Sequence, residues 1–130
     1  MRSTFADNSV TRDRIAGREC YVIAAGSRLV ATILLNLNPR GCVWYERPHV
    51  AAVNQFAVLP AFQNRGLGKK LMAFAEGRAR TAHAAELALD TSEGALDLIG
   101  WYEEQGYRLV GHTTWAGKTY RSVVLSKSLT

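Results

Sequence analysis

Cysteine is scarce in this chain of 130 residues: there are two, Cys20 and Cys42, and they form no CxxC pair. A disulfide framework or a zinc site built on paired cysteines is not expected, and no other metal set is read from the sequence. Long hydrophobic runs are missing too. The longest, Leu29–Leu35, falls far short of the ~20 residues that span a bilayer. Met1-Arg2-Ser3-Thr4 leads into no apolar segment of the secretory kind. No membrane association is expected, and a cytoplasmic setting with two reduced thiols is. Internal repeats and low-complexity tracts are also lacking.

What is present suits a globular protein: 48% hydrophobic and 21% charged residues, enough for one domain over residues 1–130. The net charge of +5 welcomes an anionic ligand or partner. The basic residues are scattered and form no continuous stripe, so nucleic acid is not an expected partner.

The pattern of apolar residues and turn formers predicts an α/β order. Met1–Gly17 is polar and reads as a partly ordered leader or a short helix. Cys20–Ala25 and Leu29–Leu35 form a hairpin about Gly26-Ser27, and Asn38-Pro39-Arg40-Gly41 marks a turn. Val53–Leu59 reads as a strand that stops at Pro60. Leu67, Leu71, Phe74, Ala75, Ala79 and Ala82 make the buried stripe of a helix from about Gly66 to Ala82, with Glu76 and Arg80 paired outside. Glu86–Asp90 reads as the next strand, parallel to Val53–Leu59 across that helix. Thr91 or Ser92 is placed to cap a helix of about Glu93–Gln105, stopped by Gly106. Tyr107–Val110 and Tyr120–Leu125 close the chain as a hairpin. The expected fold is a mixed sheet: an antiparallel N-terminal hairpin, a parallel centre with a crossover helix, then a C-terminal helix and an antiparallel hairpin.

The organising stretch is Gln63-Asn64-Arg65-Gly66-Leu67-Gly68, between a strand and a helix start. A helix N-terminus has unpaired N–H groups and the positive end of its dipole, so it suits a phosphate. The dinucleotide fingerprint is excluded because its third glycine falls on Leu71. The Walker pattern is excluded because Gln63 stands at its first glycine and Lys70 follows Lys69. Gln-x-x-Gly-x-Gly after a hydrophobic strand resembles the pyrophosphate loop of the GNAT superfamily of N-acetyltransferases. Trp101-Tyr102-Glu103-Glu104-Gln105-Gly106-Tyr107 resembles that family's second signature, in the family's order.

The resemblance implies acetyl-CoA as co-substrate. Its pyrophosphate would lie on the backbone amides of Asn64, Arg65, Gly66, Leu67, Gly68 and Lys69, with side chains from Gln63 and Arg65. Its pantetheine arm would pair with the backbone of Phe56 and Val58, as a strand pairs at a sheet edge. By the same resemblance Tyr102 is the acid that protonates the departing thiolate. Read from the helix alone, Tyr102 shares a face with Ala95, Leu98 and Ile99, and the alternative to the acid is an aromatic anchor between helix and sheet.

The attacking amine must be neutral, which for a lysine-like group costs about 4.6 kcal/mol at pH 7. Relatives often carry a glutamate on the central strand for this; here that strand offers Asn54 and Gln55. Glu46 and His49 are the nearest titratable groups, a water relay is an equal alternative, and no base is assigned. Another departure is Gly94-Ala95-Leu96, where many relatives place an asparagine; either Asp90-Thr91-Ser92-Glu93 supplies a polar substitute for its pantetheine contact or that contact is absent. Trp44, Tyr45 and Trp115 are candidate linings for an acceptor pocket.

The expected function is acetyl transfer to a primary amine of a small molecule or peptide. The alternative is a non-catalytic acyl-CoA-binding module. Relatives usually begin with a strand and two helices before the segment matching Cys20–Ala25. With only Met1–Glu19 there, an open apolar edge and hence a homodimer are expected.

Overall fold

The computed structural model describes the backbone of residues 11–15 and 18–130, with side chains from Arg18 onward. Seven strands form one sheet: β1 (Thr11–Ile15), β2 (Arg18–Ala25), β3 (Arg28–Asn36), β4 (Val50–Val58), β5 (Glu86–Ser92), β6 (Arg108–Thr114) and β7 (Arg121–Ser128). Their order is β1-β2-β3-β4-β5-β7-β6. All pairs are antiparallel except β4–β5. A 3-10 turn (Pro60–Phe62) and helix α1 (Leu67–Thr81) make the crossover between those two strands, and α2 (Leu96–Glu104) follows β5. This is the mixed α/β architecture expected from the sequence.

Two elements depart from that reading. β1 pairs with β2 from Thr11↔Val22 to Ile15↔Arg18, so a strand forms where a leader or short helix was expected. β1 covers Arg18–Val22 of the edge on which the homodimer was argued and leaves Ile23–Ala25 without a β1 partner; the rest of the leader lies outside the described residues. The second helix begins at Leu96, not Glu93, and Thr91 and Ser92 do not cap it. They remain extended because Thr91↔Val123 and Ser92↔Ser122 continue the β5–β7 ladder. Ladder bonds already in register outweigh a cap worth ~1 kcal/mol.

The main core lies under α1. Leu67, Leu71, Met72, Ala75 and Ala79 are buried against Tyr21, Ile23, Ile33, Leu35 and Val53. Phe74 sits at the margin of that stripe, 39% exposed, with its ring edge-on to Tyr21 at 4.7 Å. Glu76 is buried and not outside: Tyr107 Oη donates to it at 2.8 Å and Lys127 Nζ at 3.2 Å. Arg80 donates instead to the Leu129 carbonyl at 3.1 Å. Arg78 likewise bridges α1 to β2, donating to Glu19 at 3.0 Å. These contacts tie the helix to the sheet.

The opposite sheet face carries a second, smaller cluster of Tyr45, Val50, Ala52, Ala88 and Val124, with Trp44 and Trp115 packed on it. Adjacent residues of β4 and β5 point to opposite faces. Leu87 and Leu89 therefore join the main core while Ala88 joins the second.

The feature that positions the site is a break in this sheet. β4 and β5 pair only over Val50↔Glu86, Ala51↔Leu87 and Ala52↔Ala88 and then part. On the β3 side, Thr32 pairs with Ala57 but Leu34 with Asn54, so β4 holds one extra residue. Gln55 takes it up in the left-handed region, at φ 51. Such a bulge bends its strand and increases the local twist, here where β4 leaves β5.

Candidate functional site

Two hollows meet at this break. The first, of about 630 Å³, is bounded by Phe56, Val58, Phe62, Gln63, Asn64, Gly66, Gly68, Lys69, Leu98 and Trp101. The second, of about 650 Å³, contains Asn54, Gln55, Asp90, Tyr102 and Trp115. Phe56 and Leu98 belong to both.

The first hollow contains the main-chain turn that leads into α1. Asn64 (φ 64) and Gly66 (φ 78) both adopt left-handed backbone, turning the chain from the 3-10 turn into α1. Gly66 is the N-cap, and no side chain caps the helix. The first intrahelical bond runs from Lys70 N to Gly66 O, so the N–H groups before it have no intrahelical partner. No acidic residue occupies this first turn, which instead holds Lys69 and Lys70. Cations at the positive end of a helix dipole are unfavourable by a few tenths of a kcal/mol unless an anion joins them. The loop therefore fits a polyanion such as the coenzyme pyrophosphate.

The expected loop residues divide here. Gln63, Asn64, Gly66, Gly68 and Lys69 border the hollow together with Phe56 and Val58, whereas Arg65 and Leu67 do not. Leu67 sends its side chain into the core, 2% exposed, and Arg65 lies with its guanidinium 5.0 Å from the Phe62 ring centre. Gln63 Nε2 donates to the Val58 carbonyl at 3.0 Å, tying the loop to the strand end. Gly68 has a packing reason for its missing Cβ. One built there would lie 3.1 Å from Phe56 Cζ and 3.3 Å from Trp101 Cζ2. Those two rings stack at 5.8 Å. From Val53 onward β4 has no strand partner on its β5 side, which leaves room for an extended ligand.

The second hollow is built from side chains. Tyr102 is buried, edge-on to Trp101 at 5.3 Å and to Tyr107 at 6.0 Å, so the anchor reading holds for its ring. Among the described residues its hydroxyl has no hydrogen-bond partner. Burial, and then the negative charge of Asp90, push its pKa up to about 12. The phenol is thus a protonated, uncommitted donor at neutral pH.

Asp90 is the residue the sequence reading passed over as an acceptor-side group. Tyr45 Oη donates to its Oδ1 at 2.5 Å and Trp115 Nε1 to its Oδ2 at 2.9 Å. Burial foremost, and then this hydrogen bond, push the Tyr45 phenol far above its ordinary value. Of the three aromatics proposed for an acceptor pocket, Tyr45 and Trp115 line the hollow. Trp44 does not; Arg47 lies over its ring at 3.8 Å. Glu46 and His49, the titratable groups first considered as bases, border a neighbouring depression of about 420 Å³ that shares Pro39, Arg40 and Tyr45 with this hollow but does not include Tyr102. A single signal pointed to Asp90: a carboxylate at the C-terminal end of a parallel strand, where α/β sheets bind ligands.

Known proteins give this geometry its context. The family model described as the acetyltransferase (GNAT) family matches residues 2–107, and the chain belongs to that family. An uncharacterized N-acetyltransferase of Schizosaccharomyces pombe is 33% identical over 85 residues, 65% of this chain and 56% of the relative. The match thus spans little more than half of that protein. The S-(2-succino)cysteine N-acetyltransferase of Bacillus subtilis is 30% identical over 129 residues, 95% of this chain and 74% of the relative. Among solved structures, nourseothricin acetyltransferase superposes with a TM-score of 0.74 at 20% identity, covering 88% of this chain and 67% of that one. A GNAT family acetyltransferase from Elizabethkingia anophelis with acetyl-CoA bound superposes at 0.68 and 16% identity, covering 86% and 76%. These structural likenesses concern the fold.

Proposed function

We propose that this protein transfers an acetyl group from acetyl-CoA to a primary amine by direct attack, with Tyr102 as the general acid. The observation that carries the reading is the junction at Phe56 and Leu98. On one side lie helix amides with no intrahelical partner; on the other lies a phenol with no partner among the described residues. Family membership and the names of the two sequence relatives, both N-acetyltransferases, support it.

In this reading the loop Gln63–Lys69 holds the pyrophosphate through main-chain N–H groups, and Lys69 adds charge. The open side of β4 at Phe56 and Val58 lies along the pantetheine arm and directs it toward Tyr102. Acetyl-CoA supplies the thioester carbonyl. A C–N bond forms as the C–S bond breaks, and the sulfur takes the Tyr102 phenolic proton. The amine releases one proton to water, which restores the phenol, so atoms and charge balance. Asn54 and Gln55 accept no proton at neutral pH and serve to orient water. The setting we propose is cytoplasmic; no described helix is long and apolar enough to cross a membrane.

Calorimetric titration with acetyl-CoA, followed by thiol release across a broad amine panel, tests the reading. Binding and thiol release are expected. Binding with no release from any amine would favour the non-catalytic acyl-CoA-binding module, and no binding at all would sink both.

A further inference from the structure

The hollow beside Tyr102 is electrically lopsided. Among the described residues, Asp90 is the one carboxylate that lines it, against three cations: Arg18, Arg40 and Lys118. The cations are exposed at its mouth, while Asp90 is half-buried beside buried Tyr45 and Tyr102. Among the described residues, Arg18 and Arg40 have no ion-pair partner, and Lys118 lies 5.8 Å from the Tyr120 ring centre. The two donors that hold Asp90, a phenol and an indole, are neutral. They fix its orientation and leave its charge uncancelled.

Resting on the acetyl-transfer reading, we infer that the acceptor is a small amine that also carries a carboxylate, its amine held at Asp90 and its carboxylate at the cationic mouth. A carboxylate fixed by two neutral donors still has lone pairs for an ammonium. Guanidinium groups bind carboxylates through paired, charge-assisted hydrogen bonds. A hollow of about 650 Å³ is of small-molecule size. A simple diamine would place its second cation among three others, a repulsive arrangement that selects against it.

The test uses the full chain loaded with coenzyme A, so that acceptor binding is read without turnover. L-glutamate, L-aspartate and L-methionine are each titrated against their amides, which keep the amine and skeleton and neutralise the carboxylates; putrescine is a further control. Each acid is expected to bind at least tenfold tighter than its amide, and the margin should shrink with added salt. Arg40→Ala and Lys118→Ala, both at exposed positions, should each narrow the margin about threefold or more while acetyl-CoA affinity stays unchanged. Rates at saturating acetyl-CoA should show those losses in KM and not in kcat. Asp90→Asn should weaken acid and amide alike, because it acts on the shared amine; if that variant fails to fold, the two mouth variants still decide. Equal binding of acid and amide, tighter binding of putrescine, or mouth variants that leave the margin intact would overturn the inference, with acetyl transfer untouched. Loss of coenzyme binding in the parent protein would overturn both.

Discussion

The hollow at Gly66 and the hollow at Tyr102 adjoin at Phe56 and Leu98, yet they are made of different material. The first follows one continuous stretch of chain from the end of β4 through the first turn of α1, where helix N–H groups have no intrahelical partner, and is closed by two residues of α2. The second draws side chains from β2, β3, the 37–49 loop, β4, β5, α2 and the β6–β7 connection. A site made of backbone recognises what all its users share, in the proposed reading a pyrophosphate. A site made of side chains is free to differ from one protein to the next. In the proposed reading, constant co-substrate and variable acceptor map onto two kinds of wall.

The largest effect that sharpens this comparison is expected at Tyr102. Tyr102→Phe keeps the ring packing on Trp101 and Tyr107 and removes only the hydroxyl. Turnover should fall about a hundredfold or more with acetyl-CoA affinity unchanged. An unchanged rate and pH profile on a good acceptor would leave Tyr102 as an anchor alone.

Next comes Gly68→Val, which acts on the shared wall. The new side chain must displace the Phe56 and Trp101 rings, 3.1 and 3.3 Å from the Cβ position. Acetyl-CoA binding should weaken by more than tenfold, about 1.4 kcal/mol, when measured by calorimetry on folded protein. Full affinity in a folded Gly68→Val protein would break the assignment of the first hollow.

A smaller effect separates the halves through the bulge. Gln55 at φ 51 occupies a region that costs an L residue about 1–2 kcal/mol. Gln55→Val adds β-branching there and should lower stability in urea by about 1 kcal/mol or more, whereas Gln55→Gly should be close to neutral. Equal losses for both would argue that the Gln55 side chain, and not its backbone, sets the bend.

The smallest expected change concerns pH. Because the folded-state pKa of Tyr102 is raised to about 12, the phenol stays protonated through the working range. Rates should rise with pH as the amine loses its proton, with no falling limb from Tyr102 below about pH 11. By linkage, the neutral phenol contributes stability that is complete below its ordinary pKa near 10 and is lost as pH climbs toward 12. A falling limb near pH 9 would contradict the buried setting.

Legibility in the sequence followed the same division. Gly66 and Gly68 are local patterns with a local physical cause, so the turn into α1 and the element order from Arg18 onward could be read directly, whereas β1 could not. The break in the sheet could not. Gln55 carries no mark of a left-handed residue, and nothing in Val50–Val58 says that pairing with β5 ends after Ala52. Asp90 was hidden for a related reason: its partners Tyr45 and Trp115 lie 45 and 25 residues away, and only the folded sheet brings them together. Glu76 misled the reading because helical spacing placed it outside, whereas Tyr107 and Lys127 reach across to bury it.

The parting of β4 from β5 also bears on aggregation. A strand with unpaired N–H and C=O groups ordinarily invites another chain to add on, and sheets guard their outer edges against it. Here the open stretch from Val53 to Val58 lies in the middle of the sheet, with β5 facing it across the gap and Leu98, Trp101 and Tyr102 of α2 beside it. A slender, flexible arm can enter that slot; a second strand with side chains on both faces cannot. In the proposed reaction the open edge of β4 receives the pantetheine arm, and its place inside the sheet keeps it from seeding sheet growth.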